Sequence, residues 1–297
     1  MKKILIIKHG ALGDLVQAEG AIRDICNHHQ HDHVSLLTEP LYGQLFVNHP
    51  GIDQIVADTR QPRWHLLYLV RLMMKLRRAQ YDCVIDLQNS SRTVLYYNLL
   101  RPVQWFGRAT LGYLVSFQEI FASANIPMHH IDRPQWGWLQ SPVKAILAQA
   151  KITTPFILLL PGASANHPEK RWPYYAELAR RLQNRGHCVA WAPGPDERSM
   201  IDAFPATCLL DGERVLSISQ LASLAAHTQL IVGNDSGPTH LLSYCGTRGV
   251  VIFQRSDYAE NARIKDRYQV ACASDLSTIS VEDILAYIDT VQETVVL

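Results

Sequence analysis

The sequence predicts an α/β protein built as two Rossmann-like halves, each a doubly wound parallel sheet. Three observations carry this. Short unbroken apolar runs alternate with amphipathic stretches, as expected of parallel strands covered by helices on both faces. The alternation blurs over residues 95–140 and then restarts. The chain has 297 residues, more than a single hydrophobic core readily fills.

In the first half, Ile4-Leu5-Ile6-Ile7 is a strand that runs into His9-Gly10-Ala11-Leu12-Gly13-Asp14 and then a helix to about residue 25. Val34-Ser35-Leu36-Leu37-Thr38 is the second strand, 41–47 a helix and 52–56 a third short strand. A helix over 64–78 precedes a strand at 81–87. Residues 95–140 carry Tyr96, Tyr97, Trp105, Phe106, Trp136 and Trp138 without a clear period. Phe156-Ile157-Leu158-Leu159-Leu160 restarts the pattern, and a helix over 173–185 ends at Gly186, placed as a C′ glycine. Strands at 188–191, 208–210, 230–232 and 250–253 alternate with helices at 218–226 and 240–245. An amphipathic helix at 281–291 closes the chain. The division falls within 141–154, giving domains 1–147 and 148–278 with a terminal helical segment 279–297.

Composition narrows the function. Lys and Arg total 28 against 27 Asp and Glu, a net charge of +1, which argues against a nucleic-acid backbone as main partner. Hydrophobic residues are 47% and charged residues 19%, which supplies a core and excludes extensive disorder. The six cysteines are scattered with no CxxC pair, the pattern of buried thiols in a reducing compartment. The apolar stretch before Lys8 is too short for a signal peptide, and no run is long enough to span a membrane. The expected location is the cytoplasm.

Three strand-to-helix loops carry chemical signal. Gly10-Ala11-Leu12-Gly13-Asp14 does not fit G-x-G-x-x-G, and Asp14 would repel an adjacent phosphate. A carboxylate there suits a base, with helix capping the competing role and, on spacing alone, the favoured one. The loop from Gly162 to Pro173 offers a hydroxyl (Ser164), an amide (Asn166) and the cations Lys170 and Arg171, suited to an anion or simply to water. Asp235-Ser236-Gly237-Pro238-Thr239-His240 opens a helix whose positive end can dock a diphosphate; an ordinary capped start fits equally well. A strand-end Asp such as Asp235 also commonly ties its loop down.

Taken in order, Leu12-Gly13-Asp14, Lys170-Arg171-Trp172-Pro173 and Asn234-Asp235-Ser236-Gly237-Pro238-Thr239-His240 resemble the signature segments of glycosyltransferase family 9. These are the heptosyltransferases of lipopolysaccharide core assembly. His49-Pro50-Gly51-Ile52-Asp53 and residues 81–86 extend the resemblance over nearly the whole chain. It implies a GT-B fold, with two Rossmann-like domains facing each other across a cleft and the last helix returning to pack on the first domain. It implies inverting, metal-independent sugar transfer from a nucleotide-diphosphate donor, ADP-heptose foremost, to a saccharide or glycolipid acceptor of the lipopolysaccharide-core type. No cofactor is implied, the nucleotide sugar being a co-substrate. By the same resemblance Asp14 is the base and Lys170 neutralises the leaving phosphates. Gly13, Ser164, Asn166, Asp235, Ser236, Gly237, Pro238 and His240 join the donor site, with Asp196 at the ribose and Leu216 over the base. The chain has no D-x-D to clamp a metal–diphosphate.

The chain departs from the family pattern in two places. Gln17, Glu19 and Gly20 stand where small hydroxyl residues and a proline are common. Phe253-Gln254-Arg255-Ser256-Asp257 replaces a Gly-Pro-Thr-like turn near the donor sugar. Arg60, Arg63, Arg92, Arg101, Arg108 and Arg133 are candidate anion contacts, though solvated arginines are commoner. The tract 28–33 reads as a solvated loop in preference to a metal site. Residues 63–78 read first as a helix packed on a sheet, with peripheral contact to the cytoplasmic face of an inner membrane as the second reading. Alternatives to heptosyl transfer are another nucleotide-sugar enzyme of this fold and a non-catalytic nucleotide or glycan binder. A nicotinamide dehydrogenase is disfavoured by the absent G-x-G-x-x-G.

Overall fold

The first apolar run is strand β1 (Lys3–Ile7), with Ile4 to Ile7 fully buried. A computed structural model describes residues 1–100, 104–112, 115–164, 167–256 and 268–293, and the chain divides into two units, Met1–Trp138 and Leu139–Leu297.

In the first unit, β1 is followed by α1 (Leu12–His28), β2 (His33–Thr38), β3 (Gln54–Ala57), α2 (Leu66–Ala79), β4 (Cys83–Asp86), α3 (Ser91–Leu100), β5 (Gln104–Phe106) and α4 (Phe117–Ala124). The strands form one sheet in the order β3-β2-β1-β4-β5, all parallel. Leu5 and Ile7 of β1 meet Leu37, Val56 and Val84, with Leu72, Met73 and Leu76 of α2 packed over them. The expected helix over 41–47 is a short helix, Pro40–Gly43, running into a 3-10 turn, Gln44–Phe46.

The second unit runs α5 (Lys144–Gln149), β6 (Phe156–Leu160), α6 (Tyr175–Asn184), β7 (Val189–Trp191), β8 (Thr207–Cys208), α7 (Ile218–Ser223), β9 (Thr228–Asn234), α8 (Gly237–Tyr244), β10 (Gly249–Phe253), β11 (Tyr268–Cys272) and α9 (Val281–Glu293). Its sheet has the order β11-β10-β9-β6-β7-β8, again parallel throughout. Alternate residues of β6 enter opposite cores. Ile157 and Leu159 pack with α6 and α9, while Phe156, Leu158 and Leu160 pack with α5 and with Leu242 of α8. This two-sided burial is why β6 reads as a continuous apolar run.

In both sheets the chain winds outward from a central strand, returns to its other side and winds the opposite way. Such a reversal leaves a crevice at the carboxyl ends of the two central strands, where open α/β sheets take ligands. The reversal lies between β1 and β4 in the first unit and between β6 and β9 in the second.

Several expectations need correcting. The units part at Trp138 and Leu139, ahead of the expected 147, because Val143, Ile146 and Leu147 pack into the second unit's core. The last helix, expected on the first domain, buries Val281, Ile284, Leu285 and Ile288 against Leu178 and Leu182 of α6 and against β10 and β11. Its stripe completes the second unit's own core. Strand β11 went unpredicted because its burial is partial, with Gln269 and Val270 half-exposed at the sheet edge. Only Cys26 and Cys83 of the free cysteines are fully buried, and Cys272 is exposed. In α2 only Leu72, Met73 and Leu76 are buried, while Leu66, Leu67, Val70 and Met74 face outward, so packing accounts for one side of that helix only.

The aromatic stretch 128–138, without period in the sequence, is held by side chains of α1. Asp24 accepts from the backbone N–H of His129 (3.0 Å) and from His130 Nδ1 (2.6 Å), and Arg23 donates to Gln135 Oε1 (2.6 Å). Glu19, fully buried, accepts from the Gln135 N–H. Trp138 donates its indole N–H to the Leu45 carbonyl (3.0 Å), and Trp136 lies edge-on to Phe46. Gly20 lets the segment lie directly on the helix, since a Cβ there would fall 2.0 Å from the His130 carbonyl oxygen. Glu19 and Gly20, two of the departures from the family pattern, thus share one structural task. Gly20→Ala is expected to cost about 1–3 kcal/mol by overpacking, read as a lowered midpoint in urea unfolding.

Candidate functional site

Each crevice gathers ionisable groups from loops on the two strands that flank it. In the first unit, Lys8 and His9 leave the end of β1, Asp14 sits in the first turn of α1, and Asp86 ends β4. Asp14 is not the cap of α1. That position is Ala11, no side chain caps the helix, and Asp14 sits three residues further on, exposed. Asp14 makes no hydrogen bond among the described residues. Its lone pairs are open to solvent in the first turn of the helix.

Lys8 is 8% exposed and its ammonium forms no hydrogen bond or ion pair among the described residues. Burial pushes its pKa below the ordinary lysine value, opposed by the charges of Asp14 and Asp86. Asp86 is fully buried and its pKa is raised by burial, against bonds to Thr93, Asn89 and Gln88 that lower it. Its Oδ2 has no hydrogen-bond partner among the described residues. Beside this group, His9 Nε2 bonds Asp58 Oδ2 (2.8 Å), leaving its buried Nδ1 unpartnered. Asp58 also accepts from Tyr96 (2.6 Å), from Tyr68 and from the Arg60 N–H (2.7 Å). Burial alone would raise the Asp58 carboxyl, but the bonds from His9, Tyr68 and Tyr96 outweigh it and hold the group ionised. This network fixes the loop that carries Lys8 and His9.

In the second unit the corresponding centre is Asn234-Asp235, the last residue of β9 and the one after it. Asp235 Oδ2 accepts from Lys170 Nζ (2.6 Å) and Oδ1 from His240 Nε2 (2.9 Å). Burial raises the Asp235 carboxyl, and the His240 and Lys170 hydrogen bonds bring it below the usual value on balance. Asn234, buried, accepts from the Trp172 N–H (3.2 Å) and Tyr175 hydroxyl (3.1 Å) and donates to the Pro161 carbonyl (2.8 Å). The next link is Arg171, which donates to the Ala163 carbonyl (2.9 Å) and to Glu197 Oε1 (2.8 Å). Glu197 in turn accepts from the Gly194 N–H (3.0 Å). Lys170, Arg171 and Trp172 therefore reach three different directions and join the loops after β6, β7 and β9.

The N-terminus of α8 opens into the same crevice. Ser236 occupies its N-cap without bonding a backbone N–H, its hydroxyl lying 3.0 Å from Thr239 Oγ1. The free N–H groups of the first turn are available to an anion. Gly233 allows this approach, since a Cβ there would meet Thr239 Oγ1 at 2.3 Å.

The structure brings Lys170, Asp235 and His240 into contact beside the helix start at Ser236, Gly237 and Pro238. His240 is committed to Asp235 and is 5% exposed. Ser164 follows β6 and is exposed; Asn166 lies outside the described residues. Asp196 is exposed in the 3-10 turn Pro195–Met200, and Leu216 is half-buried against the α5-side core. Gly13 is in the first turn of α1, in the other unit. Asp257 of the altered loop also lies outside the described residues. The sequence alone assigned no role to Lys8, His9, Asp58, Asp86, Asn234 and Glu197, although Asn234 stands in the motif that carries the resemblance. A signal was present in each strand-end polar residue following an apolar run, because such residues must find partners once the run is buried.

Comparison with known proteins follows this geometry. A family model described as glycosyltransferase family 9 (heptosyltransferase) matches residues 116–283. Lipopolysaccharide heptosyltransferase 1 of Campylobacter coli is 21% identical, the alignment covering 88% of this chain and 86% of the relative. The E. coli ADP-heptose lps heptosyltransferase II structure superposes with a TM-score of 0.77 at 20% identity over 100% of both chains. E. coli heptosyltransferase WaaC with ADP gives a TM-score of 0.73 at 16% identity over 97% of this chain and 99% of that one.

Two outcomes follow from the charges. Lys8→Met is expected to raise the melting temperature at pH 7, since the folded state disfavours the protonated amine and the variant removes that penalty. Asp235→Asn is expected to cost about 1–3 kcal/mol at neutral pH by removing the charge and one of the two acceptor oxygens that Lys170 and His240 meet. The Asp235 carboxyl is depressed in the folded state, so its contribution is present above about pH 4 and lost as pH falls through the folded value. The gap between variant and parent therefore narrows in acid, as urea unfolding at a series of pH values would record.

Proposed function

The chain belongs to glycosyltransferase family 9 and has the GT-B fold of two Rossmann-like domains, and from that premise we propose that it moves heptose from ADP-heptose to a lipopolysaccharide-core-like saccharide with inversion. The carrying observation is the placement of the ionisable groups. Asp14 and Lys8 lie at the reversal of strand order in the first unit's sheet, and Lys170, Asp235 and His240 at the reversal in the second unit's own sheet. The family description and the name of the Campylobacter relative support heptose and lipopolysaccharide.

Inverting transfer is a single displacement. An acceptor hydroxyl attacks the anomeric carbon, its proton passing to a base, and the bond from that carbon to the diphosphate oxygen breaks with its electron pair on the leaving group. Asp14 is the base in this reading, supported by its exposure and by its having no hydrogen-bond donor among the described residues. Lys8 lies near enough to Asp14 for the two to interact electrostatically.

The leaving diphosphate gathers negative charge as the bond breaks. Lys170 and the open first turn of α8 supply positive charge in the second unit, and we assign them this role in place of a metal ion. Asp235 holds the Lys170 ammonium in position and fixes His240 beside the helix start. Ser164, Gly237 and Pro238 line the donor phosphates in this reading, with Asp196 and Leu216 at the nucleoside.

The experiment is turnover of ADP-heptose with the anomeric configuration of the product read by NMR. An inverted product and activity unchanged by a chelator are expected. Asp14→Asn is expected to lower kcat by about 10²–10⁴-fold with ADP affinity retained. Lys170→Met is expected to weaken ADP binding as well as transfer. Retained configuration, or full activity in Asp14→Asn, overturns the reading.

A further inference from the structure

Charge is unevenly spread along this chain. Residues 59–81 hold six Lys or Arg and no Asp or Glu, in a protein whose totals are 28 and 27. Three of the six are engaged. Arg60 pairs with Glu39 (2.8 Å), Arg63 donates to Ser91 Oγ, and Arg77 donates to the Leu99 carbonyl. The others, Arg71, Lys75 and Arg78, form no hydrogen bond or ion pair among the described residues.

These three lie on α2 at spacings of four and three residues, which places them along one side of the helix. Leu67, Val70 and Met74 share that side. Leu67 is 60% exposed, Val70 51% and Met74 44%, and the stripe begins at Leu66 and at Trp64, 81% exposed. The opposite side of α2 is fully occupied by Leu72, Met73 and Leu76 in the core. Helical stability and core packing therefore explain one face and leave the apolar-basic face without a structural task. At the end of α2, a cleft of about 300 Å³ is lined by Lys75 and Arg78 together with Lys3 and His33. It opens at the amino ends of β1 and β2, on the edge of the sheet away from Asp14 and Asp86.

We propose that the outer face of α2 docks the protein on an anionic lipid bilayer. The side chains of Trp64, Leu66, Leu67, Val70 and Met74 enter the headgroup boundary, and Arg71, Lys75 and Arg78 meet lipid phosphates. The cleft at the helix end accepts one such phosphate. Long basic side chains beside an apolar stripe suit this interface, because their stems lie in the apolar layer while the charges reach the headgroups. No helix among the described residues is long and apolar enough to cross a membrane, so α2 lies along the surface. A second copy of the chain is the poorer occupant. A two-fold contact through this stripe sets its unpaired cations against one another. The inference is independent of the transfer reaction, and its test uses neither donor nor acceptor.

The full chain is sedimented with vesicles of phosphatidylcholine alone and of phosphatidylcholine with about a third phosphatidylglycerol. Binding to the anionic vesicles, weakening as salt rises, is the expected result. Joint replacement Arg71→Gln, Lys75→Gln and Arg78→Gln is expected to lower partition by about a hundredfold, with an unchanged melting curve. Leu67→Gln with Met74→Gln is expected to weaken binding while leaving its salt dependence in place. Should either variant unfold, quenching by brominated phosphatidylglycerol decides, taken as the difference between the parent and Trp64→Phe. Absence of that difference overturns the proposal. So does equal binding to neutral and anionic vesicles, or a triple variant that binds as the parent does. Self-association that Leu67→Gln with Met74→Gln abolishes, without vesicle binding, makes the face a protein interface and overturns it as well.

Discussion

The second unit depends on the Asn234-Asp235 pair at the end of its central strand. Asn234 reaches Pro161, Trp172 and Tyr175, and Asp235 reaches Lys170 and His240. Loops leaving neighbouring parallel strands have no backbone ladder to hold them together. Side-chain amides and carboxylates at strand ends are the available substitute. Because Asn234 is buried, each of its polar atoms needs a partner in the fold, and the bonds it makes are costly to lose. Lys170 owes its position to this arrangement, as does the start of α8.

The first unit holds its loops with buried charge. Asp58 collects His9, Tyr68, Tyr96 and the Arg60 backbone, and these bonds keep it ionised against the effect of burial. Lys8 and Asp86 are not satisfied in this way. An unpartnered ammonium and a carboxylate with one orphan oxygen are unfavourable for folding. Their position at the strand reversal, beside an open carboxylate, is where such a cost is met in enzymes.

Where the chain departs from the family pattern, structure supplies a reason for some of it. Glu19 and Gly20 serve the stretch 128–138, one by accepting from Gln135 and the other by letting the His130 carbonyl lie close. That stretch had no legible period, since its order comes from contacts with α1 and with residues 45–49 more than from any element of its own. Asp14 illustrates the opposite case. Its spacing pointed to a helix cap, whereas the chain starts the helix at Leu12 and leaves the carboxylate open.

The apolar runs by themselves determined two parallel sheets and the loops on which candidate chemistry falls, because a strand buried on both faces must be apolar throughout. Motif order across Asp14, Lys170 and the 234–240 loop was sufficient to indicate the family. Tertiary structure alone decided which polar residue pairs with which: that Lys170 meets Asp235, that Glu197 and not Asp196 is buried, and that the Lys8 ammonium meets no partner among the described residues. It alone decided that α9 completes the second unit's core and that half the apolar residues of α2 face outward. Periodicity records that a side chain is apolar and where it points around its helix. Which surface, if any, covers it is a property of segments distant in the chain.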